Sequence, residues 1–390
     1  MKDIETILAA VKRGAKRYFP EQLRLLEAFC GIDCGTGKVE GNARVVSLID
    51  GVLDGMGAQV THIEAPGYGH HILARFVPAH AAGKLILNAH LDTAFFGERD
   101  LVRDHPFHID GEYACGLGIC DCKGGVVTIL YALRSLLDAG LMPKRELCVL
   151  FNCDEEIGSP TSTPLFAREA RNADAILVFE PGRNRNGILT SRRGIAFGSI
   201  EVTGVSAHAG FDGGVTGASA TRELANLILK LTDRSDPETG LNYNVAPISG
   251  GTNAAMVADS ARAEFCAFLG TDALVERVRE DVESYLPTQG IVDGCTFTAR
   301  IDRICRPMFR ENNLKLYERI RAAGELLGQT LPEEHSSNSG DCNYWAESGV
   351  PTVDGLGPYM IGIHTVNERM KLSTLPERTE LLTTFLALEE

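Results

Sequence analysis

The chain is short of positive charge, of long apolar runs and of repetitive sequence, and each shortage removes a class of function. Its 390 residues hold 38 Lys and Arg against 52 Asp and Glu, a formal net charge of −14. Nucleic acid and anionic membrane both recruit basic patches, so neither is expected as the main partner. A local cluster of arginines can still bind an anionic small molecule. No apolar run approaches the ~20 residues needed to span a bilayer. The segment MKDIETILAAVKRGAKRYF mixes charges of both signs at helical spacing and lacks the apolar centre of a secretory signal. A cytoplasmic protein is therefore the expectation. Neither an internal repeat nor a low-complexity stretch is found.

What is present is the composition of a globular chain, 44% hydrophobic and 23% charged. This length exceeds that at which a single core usually stops growing, which points to two domains. Eleven cysteines, an odd number, suit a large cytosolic chain whose thiols are reduced and buried. Cys115, Cys120 and Cys122 lie close together, but no second pair at zinc-knot spacing follows them.

Hydrophobic periodicity organises the chain. Residues 4 to 30 read as helix with a break expected at Pro20, and a second helix runs to Gly57. Strands at Leu85 to Leu87, Glu146 to Phe151 and Ala175 to Phe179 alternate with helices at Gly124 to Leu141 and Thr163 to Ala173. That alternation predicts a mostly parallel sheet covered on both faces. After Arg192 the pattern changes. Strands at Gly194 to Thr203, Asn244 to Ile248, Ala261 to Phe268 and Cys295 to Arg303 interleave with helices at Thr216 to Leu231 and Asp272 to Tyr285. This is the β-α-β-β-α-β order of a small ferredoxin-like α+β unit. Helix and strand resume from Asn312 and end with a helix from Leu375. An α/β domain (1–192 and 306–390) with an inserted α+β domain (193–305) is the expected architecture.

Five segments carry chemistry. Asn88-Ala89-His90-Leu91-Asp92-Thr93 follows a strand, and the carboxyl ends of parallel strands are where open α/β sheets place their sites. A metal-binding His usually passes its second ring nitrogen to an acceptor, a part Asp92 could take. Gly116-Leu117-Gly118-Ile119-Cys120-Asp121-Cys122-Lys123-Gly124-Gly125 opens a helix but has neither dinucleotide nor P-loop spacing. By itself it fits a metal site or a plain turn. Cys153-Asp154-Glu155-Glu156-Ile157-Gly158-Ser159 places adjacent acids at another strand end, a pattern in which one binds metal and its neighbour moves a proton. Phe179-Glu180-Pro181-Gly182 and His364-Thr365-Val366-Asn367-Glu368 complete the set. Taken singly, these last two also fit a surface acid and a turn histidine.

In this order the five segments resemble the zinc-dependent peptidases of the M20 family over nearly the whole chain. The family pattern runs His-x-Asp-Thr, Gly-x-Gly…Asp-x-Lys-Gly-Gly, Asp-Glu-Glu-x-Gly-Ser, Glu-Pro and a late His. The early Gly35-Thr36-Gly37-Lys38-Val39-Glu40-Gly41 is similar to the bacterial glutamate carboxypeptidase branch. The resemblance implies two Zn²⁺ per subunit (Co²⁺ or Mn²⁺ as alternatives), bridged by Asp121. His90 and Glu180 would complete one ion, Glu156 and His364 the other. Glu155 is implied as general base and acid, Asp92 as the group orienting His90, and the Asp121–Cys122 peptide bond as cis.

The inserted domain is implied to be a lid and dimerisation unit, so a homodimer is expected. Within Gly204-Val205-Ser206-Ala207-His208-Ala209-Gly210, His208 would act on the partner subunit's reaction centre as an oxyanion donor. Asn253 matches a lid asparagine, but Met256, Glu264 and Cys266 stand at the family's Pro, Asp and carboxylate-binding Arg positions. Losing an Arg fork matters for specificity. Arg193 and Arg306, with Arg192, are the candidates to replace it. The function implied is hydrolysis of a peptide or amide bond next to a C-terminal carboxylate. N-acyl amino acid deacylation, dipeptidase activity and a catalytically silent metal-binding homologue are the alternatives. Seven histidines, His62, His70, His71, His80, His105, His108 and His335, match no motif.

Overall fold

The computed structural model describes residues 3–97, 101–183, 186–210 and 216–389. The chain divides into two compact units. One comprises residues 1–191, 309–335 and 340–390; the other comprises 192–308 and 336–339.

The first unit is built on a six-stranded sheet in the order Gln59–Ala65, Gly69–Phe76, Glu146–Asn152, Lys84–His90, Ala175–Val178, Thr352–Val353. Lys84–His90 pairs in parallel with both of its neighbours, and Thr352–Val353 pairs in parallel with Ala175–Val178. The first two strands form an antiparallel hairpin, and Gly69–Phe76 joins Glu146–Asn152 antiparallel, so the sheet is mixed. This hairpin leaves no apolar signal in the sequence because its outer strand, Gln-Val-Thr-His-Ile-Glu-Ala, is an exposed polar edge.

Side chains alternate across the central strand. Leu85, Leu87 and Ala89 join the main core, which also takes in the helices Ile4–Cys30, Gly125–Ala139 and Thr374–Leu388. On the other face Asn88 meets Trp345 of the helix Asp341–Ala346. The helix Ile4–Cys30 runs through Pro20 without the expected break. Its buried stripe (Val11, Ala15, Tyr18, Gln22, Leu25) keeps helical spacing across the proline, so packing offsets the missing N–H.

The second unit has a four-stranded antiparallel sheet in the order Asn242–Gly250, Ser260–Leu269, Gly194–Thr203, Thr296–Cys305. The helices Ala220–Thr232 and Ala273–Arg279 pack on the face that presents Ala196, Ile200, Ala263 and Phe265. The β-α-β-β-α-β order is the one expected. The short segment 336–339, expected in the first unit, groups with the second. Arg193 N donates to Ser336 O, and Arg192 Nη1 donates to the carbonyls of Asn338 and Ser339.

Candidate functional site

The site forms where the parallel strands end. The last residue of Lys84–His90 is His90, Glu146–Asn152 runs on into Glu155 and Glu156, and Ala175–Val178 is followed within two residues by Glu180. Asp121 comes from the glycine-rich loop ahead of the Gly125–Ala139 helix, and the Asp121–Cys122 peptide bond is cis. His364 comes from a late loop and holds a left-handed backbone, φ 59°, which is costly for a residue with a side chain.

These residues meet closely. His90 Nε2 lies 2.9 Å from Asp121 Oδ1 and 3.5 Å from Glu180 Oε1. His364 Nε2 lies 2.9 Å from Asp121 Oδ2 and 3.3 Å from Glu156 Oε2. The two oxygens of Asp121 thus face different histidines, each with its own glutamate. Candidate ligand atoms of His90, Asp121 and Glu156 lie within 4.8 Å of one another, as do those of His90, Cys122 and Glu180. Nitrogen and carboxylate donors in this number suit zinc. Among the described residues the buried Glu156 Oε1 has no hydrogen-bond partner, as befits an atom directed at a cation.

Electrostatics agree with that fit. Burial works against the charged form of Asp121, but hydrogen bonds from His364 and His90 outweigh it and hold its carboxyl well below the usual range. Burial, then the Asp121 charge, pushes Glu180 up to about 7 against the pull of His90. Burial with Glu180 nearby raises Glu155 well above the ordinary carboxyl value. The Asp121 and Glu156 carboxylates push His364 up to about 10. So many acids in one buried place call for positive charge.

The surrounding groups are placed by contacts the sequence did not announce. His90 Nδ1 faces the backbone carbonyl of Asp92 at 3.0 Å, closer than the Asp92 carboxylate at 3.4 Å. The carboxylate of Asp92 also accepts from Thr36 Oγ1 and from the backbone N–H groups of Glu155 and Glu156. His71, which matched no motif, is fully buried behind the same acidic loop. It accepts from Cys153 N at 3.2 Å, and its other nitrogen reaches Thr161 Oγ1 at 2.9 Å. Asp341 accepts from Asn152 Nδ2 at 2.6 Å and from Ser159 Oγ. The Cys122 thiol donates to Phe179 O at 2.9 Å, while Cys120 is held among the carbonyls of Tyr359 and Arg369. These cysteines do pack, as expected, but Cys122 also borders the His90–Glu180 position.

A family model described as peptidase family M20/M25/M40 matches residues 86–388. The chain belongs to this family. Carboxypeptidase G2 of Pseudomonas sp. (strain RS-16) is 30% identical over 374 residues, 92% of this chain and 87% of that protein. N-acetyl-L-citrulline deacetylase of Xanthomonas campestris pv. campestris is 26% identical, covering 86% of this chain and 91% of its own length. Among solved structures, an M20 family metallo-carboxypeptidase from Sulfolobus solfataricus superposes with a TM-score of 0.76 at 15% identity, over 94% of this chain and 99% of that one. The protein is an M20 peptidase/amidohydrolase with metal-binding residues. Among its described residues no helix is long and apolar enough to cross a membrane.

In this M20 peptidase the remaining sequence candidates lie in the second unit. His208 is exposed, bridges to Met256 in antiparallel fashion and accepts from Gly210 N on Nδ1. Asn253 is exposed and caps its own turn, its Oδ1 accepting from Ala255 N at 2.8 Å. Arg306 pairs with Asp272, and Arg193 is half-buried beside Gly240.

A buried arginine that no motif marked supports the turn after Glu180. Arg378 is 0% exposed, and its guanidinium donates to the carbonyls of Gly357, Asn186 and Gly355 at 3.1 to 3.2 Å. Gly357 N in turn donates to Glu180 O at 2.9 Å. Arg378→Met would take the guanidinium donors from all three carbonyls, of which Gly357 O keeps the N–H of Gly182 at 3.2 Å, and the loss is partly offset by the release of a costly buried charge. We predict a stability loss of about 2–4 kcal/mol, read as a lower urea midpoint at unchanged m. An unshifted midpoint would mean that the carbonyls find other donors.

Proposed function

We propose that this protein is a two-zinc carboxypeptidase that cleaves the amide bond before a C-terminal residue, with a glutamate carboxypeptidase-like preference for an acidic one. The observation that carries the reading is Asp121, whose two oxygens each lie 2.9 Å from a different histidine. In this reading His90 and Glu180 would hold one ion and Glu156 and His364 the other, with Asp121 contributing to both. The chemistry supplied by two bound zinc ions is Lewis acidity toward the scissile carbonyl and a lowered pKa of water.

The chain's own residues do the rest. The Glu155 carboxylate takes a proton from the attacking water and returns it to the leaving amine. Asp92 holds the backbone of Glu155 and Glu156, and so the placing of that carboxylate. His208, acting from the partner subunit of a homodimer, donates to the developing oxyanion. Residues 193–305 then serve as lid and dimerisation domain. The substrate carboxylate falls to Arg193, Arg306 and Asn253, since Cys266 offers no fork. A cytoplasmic location suits eleven cysteines of which none is paired in a disulfide among the described residues.

The similarity to an N-acetyl-L-citrulline deacetylase favours one second reading, N-acyl amino acid deacylation on the same centre. A panel of C-terminally varied dipeptides, acyl-glutamates and N-acetyl amino acids separates the two, with zinc content measured on the same sample. We expect the highest kcat/KM on substrates with C-terminal glutamate, loss of activity on chelation, and recovery with Zn²⁺. Preference for N-acetyl amino acids would replace the first reading by the second. Activity that survives full removal of metal would sink both.

A further inference from the structure

The two loops that deliver Asp121 and His364 come from distant parts of the chain, and neither ligand sits within a regular α-helix or strand. Both loops bend through left-handed backbone, at Gly118 (φ 65°) and at His364 (φ 59°). Glycine takes this conformation freely, whereas His364 holds it only because its surroundings determine it. One side chain joins the two loops. Glu368, four residues after His364 and 1% exposed, lies beneath the Asp121 loop. Its Oε2 accepts from Gly118 N at 3.0 Å, and its Oε1 accepts from Cys120 N at 2.8 Å and Asp121 N at 3.1 Å. Its backbone carbonyl accepts from Gly116 N at 3.2 Å, and its own N–H donates to Thr365 O beside His364.

We infer that Glu368 is a positioning residue of the metal centre, its carboxylate setting the Asp121 loop so that each Asp121 oxygen faces a separate metal position. The inference rests on the two-ion reading above. Three backbone donors converge on two oxygens, and no other side chain of this length accepts three N–H groups while presenting no donor. Lys123, 2% exposed, supplies compensating charge nearby and itself closes the loop by donating to Leu117 O at 2.8 Å. Glutamine at 368 would keep the length but turn an NH₂ group toward a backbone N–H. Aspartate would keep the charge but stop one methylene short. Groups that orient metal ligands typically matter to affinity by about 10- to 100-fold.

The test is zinc affinity and stoichiometry on the full-length protein, by competition with a chromophoric chelator, together with the d–d spectrum of the Co²⁺ form. Wild type, Glu368→Gln and Glu368→Asp are compared well below their unfolding midpoints. We expect Glu368→Gln to bind zinc roughly 10- to 100-fold more weakly, with an altered Co²⁺ spectrum, and Glu368→Asp to fall between. A purely structural role would lower the midpoint and leave the affinity and spectrum of the folded protein unchanged, and that result overturns the inference. If Glu368→Gln does not fold, Glu368→Asp decides by the same measurement. A wild type that takes up one ion overturns the two-ion reading instead, and the competition for that single ion still decides the role of Glu368.

Discussion

Glu155→Gln is expected to lower kcat by roughly 10²- to 10⁴-fold while the protein keeps its full metal content. The substitution is nearly isosteric and removes one capacity, that of accepting and returning a proton. Glu155 stands beside the ligands but outside the set that faces the two histidines. Those partners are Asp121, Glu156 and Glu180. The carboxylate of Asp92 holds the Glu155 and Glu156 backbone N–H groups, not the side chain that changes. The loop should therefore keep its course. An interaction used only in the transition state leaves KM unchanged when it is lost, so kcat and kcat/KM should fall together. Steady-state kinetics with metal analysis on the same preparation checks this. Wild-type turnover in the variant would exclude Glu155 as the proton carrier. Full loss of metal would recast it as a ligand.

Trp345→Ala is expected to destabilise the first unit by about 4–5 kcal/mol, the largest effect on stability that we predict for one substitution. The indole is fully buried and stacks on Phe166 at a ring separation of 4.4 Å. Removing it leaves a large cavity, at about 3–5 kcal/mol for Trp. The change also strands a polar partner, since Trp345 Nε1 donates to Asn88 Oδ1 at 3.0 Å. Asn88 passes two further hydrogen bonds to Leu150 O and Asn152 Oδ1, and Asn152 reaches Asp341. Asp341 closes the row by accepting from Ser159, three residues beyond Glu156. Trp345→Phe keeps most of the volume and loses only the donor, so it should cost about 1–3 kcal/mol. Because Trp345 is the single tryptophan of the chain, the urea transitions are best followed by circular dichroism. Equal losses in the two variants would mean that the hydrogen bond, not the packing, carries the effect.

The segments that meet at the site were visible locally as strand ends, and their order along the chain gave them meaning, since each alone also fits a turn or a surface acid. A short apolar run followed directly by His or by paired acids marks the carboxyl end of a buried strand, and no distant residue is needed to see it. The Glu155 loop and His90 are of this kind. His71 gave no such signal. Its two partners, Cys153 and Thr161, lie 82 and 90 residues away, and nothing in Gly-His-His-Ile announces them. The same holds for Arg378, whose carbonyl partners belong to loops 21 to 192 residues distant. The hairpin Gln59–Phe76 escaped notice for another reason. A polar edge strand buries too little to leave an apolar pattern, although pairing with Glu146–Asn152 holds it in the sheet.

For the scarcity of positive charge, the absence of spanning apolar runs, the alternation of strands with helices and the identity of the acidic and histidine segments, sequence was enough. Each depends on composition, on neighbours within a few positions or, for those segments, on their order along the chain. Only the tertiary structure decided which of these groups meet. Asp121 and His364 are 243 residues apart and approach to 2.9 Å. Glu368 reaches three N–H groups 247 to 250 residues earlier in the chain. Hydrogen bonds and charges act over a few ångströms of space whatever their separation along the chain, so these pairings exist only once the sheet and its loops have formed.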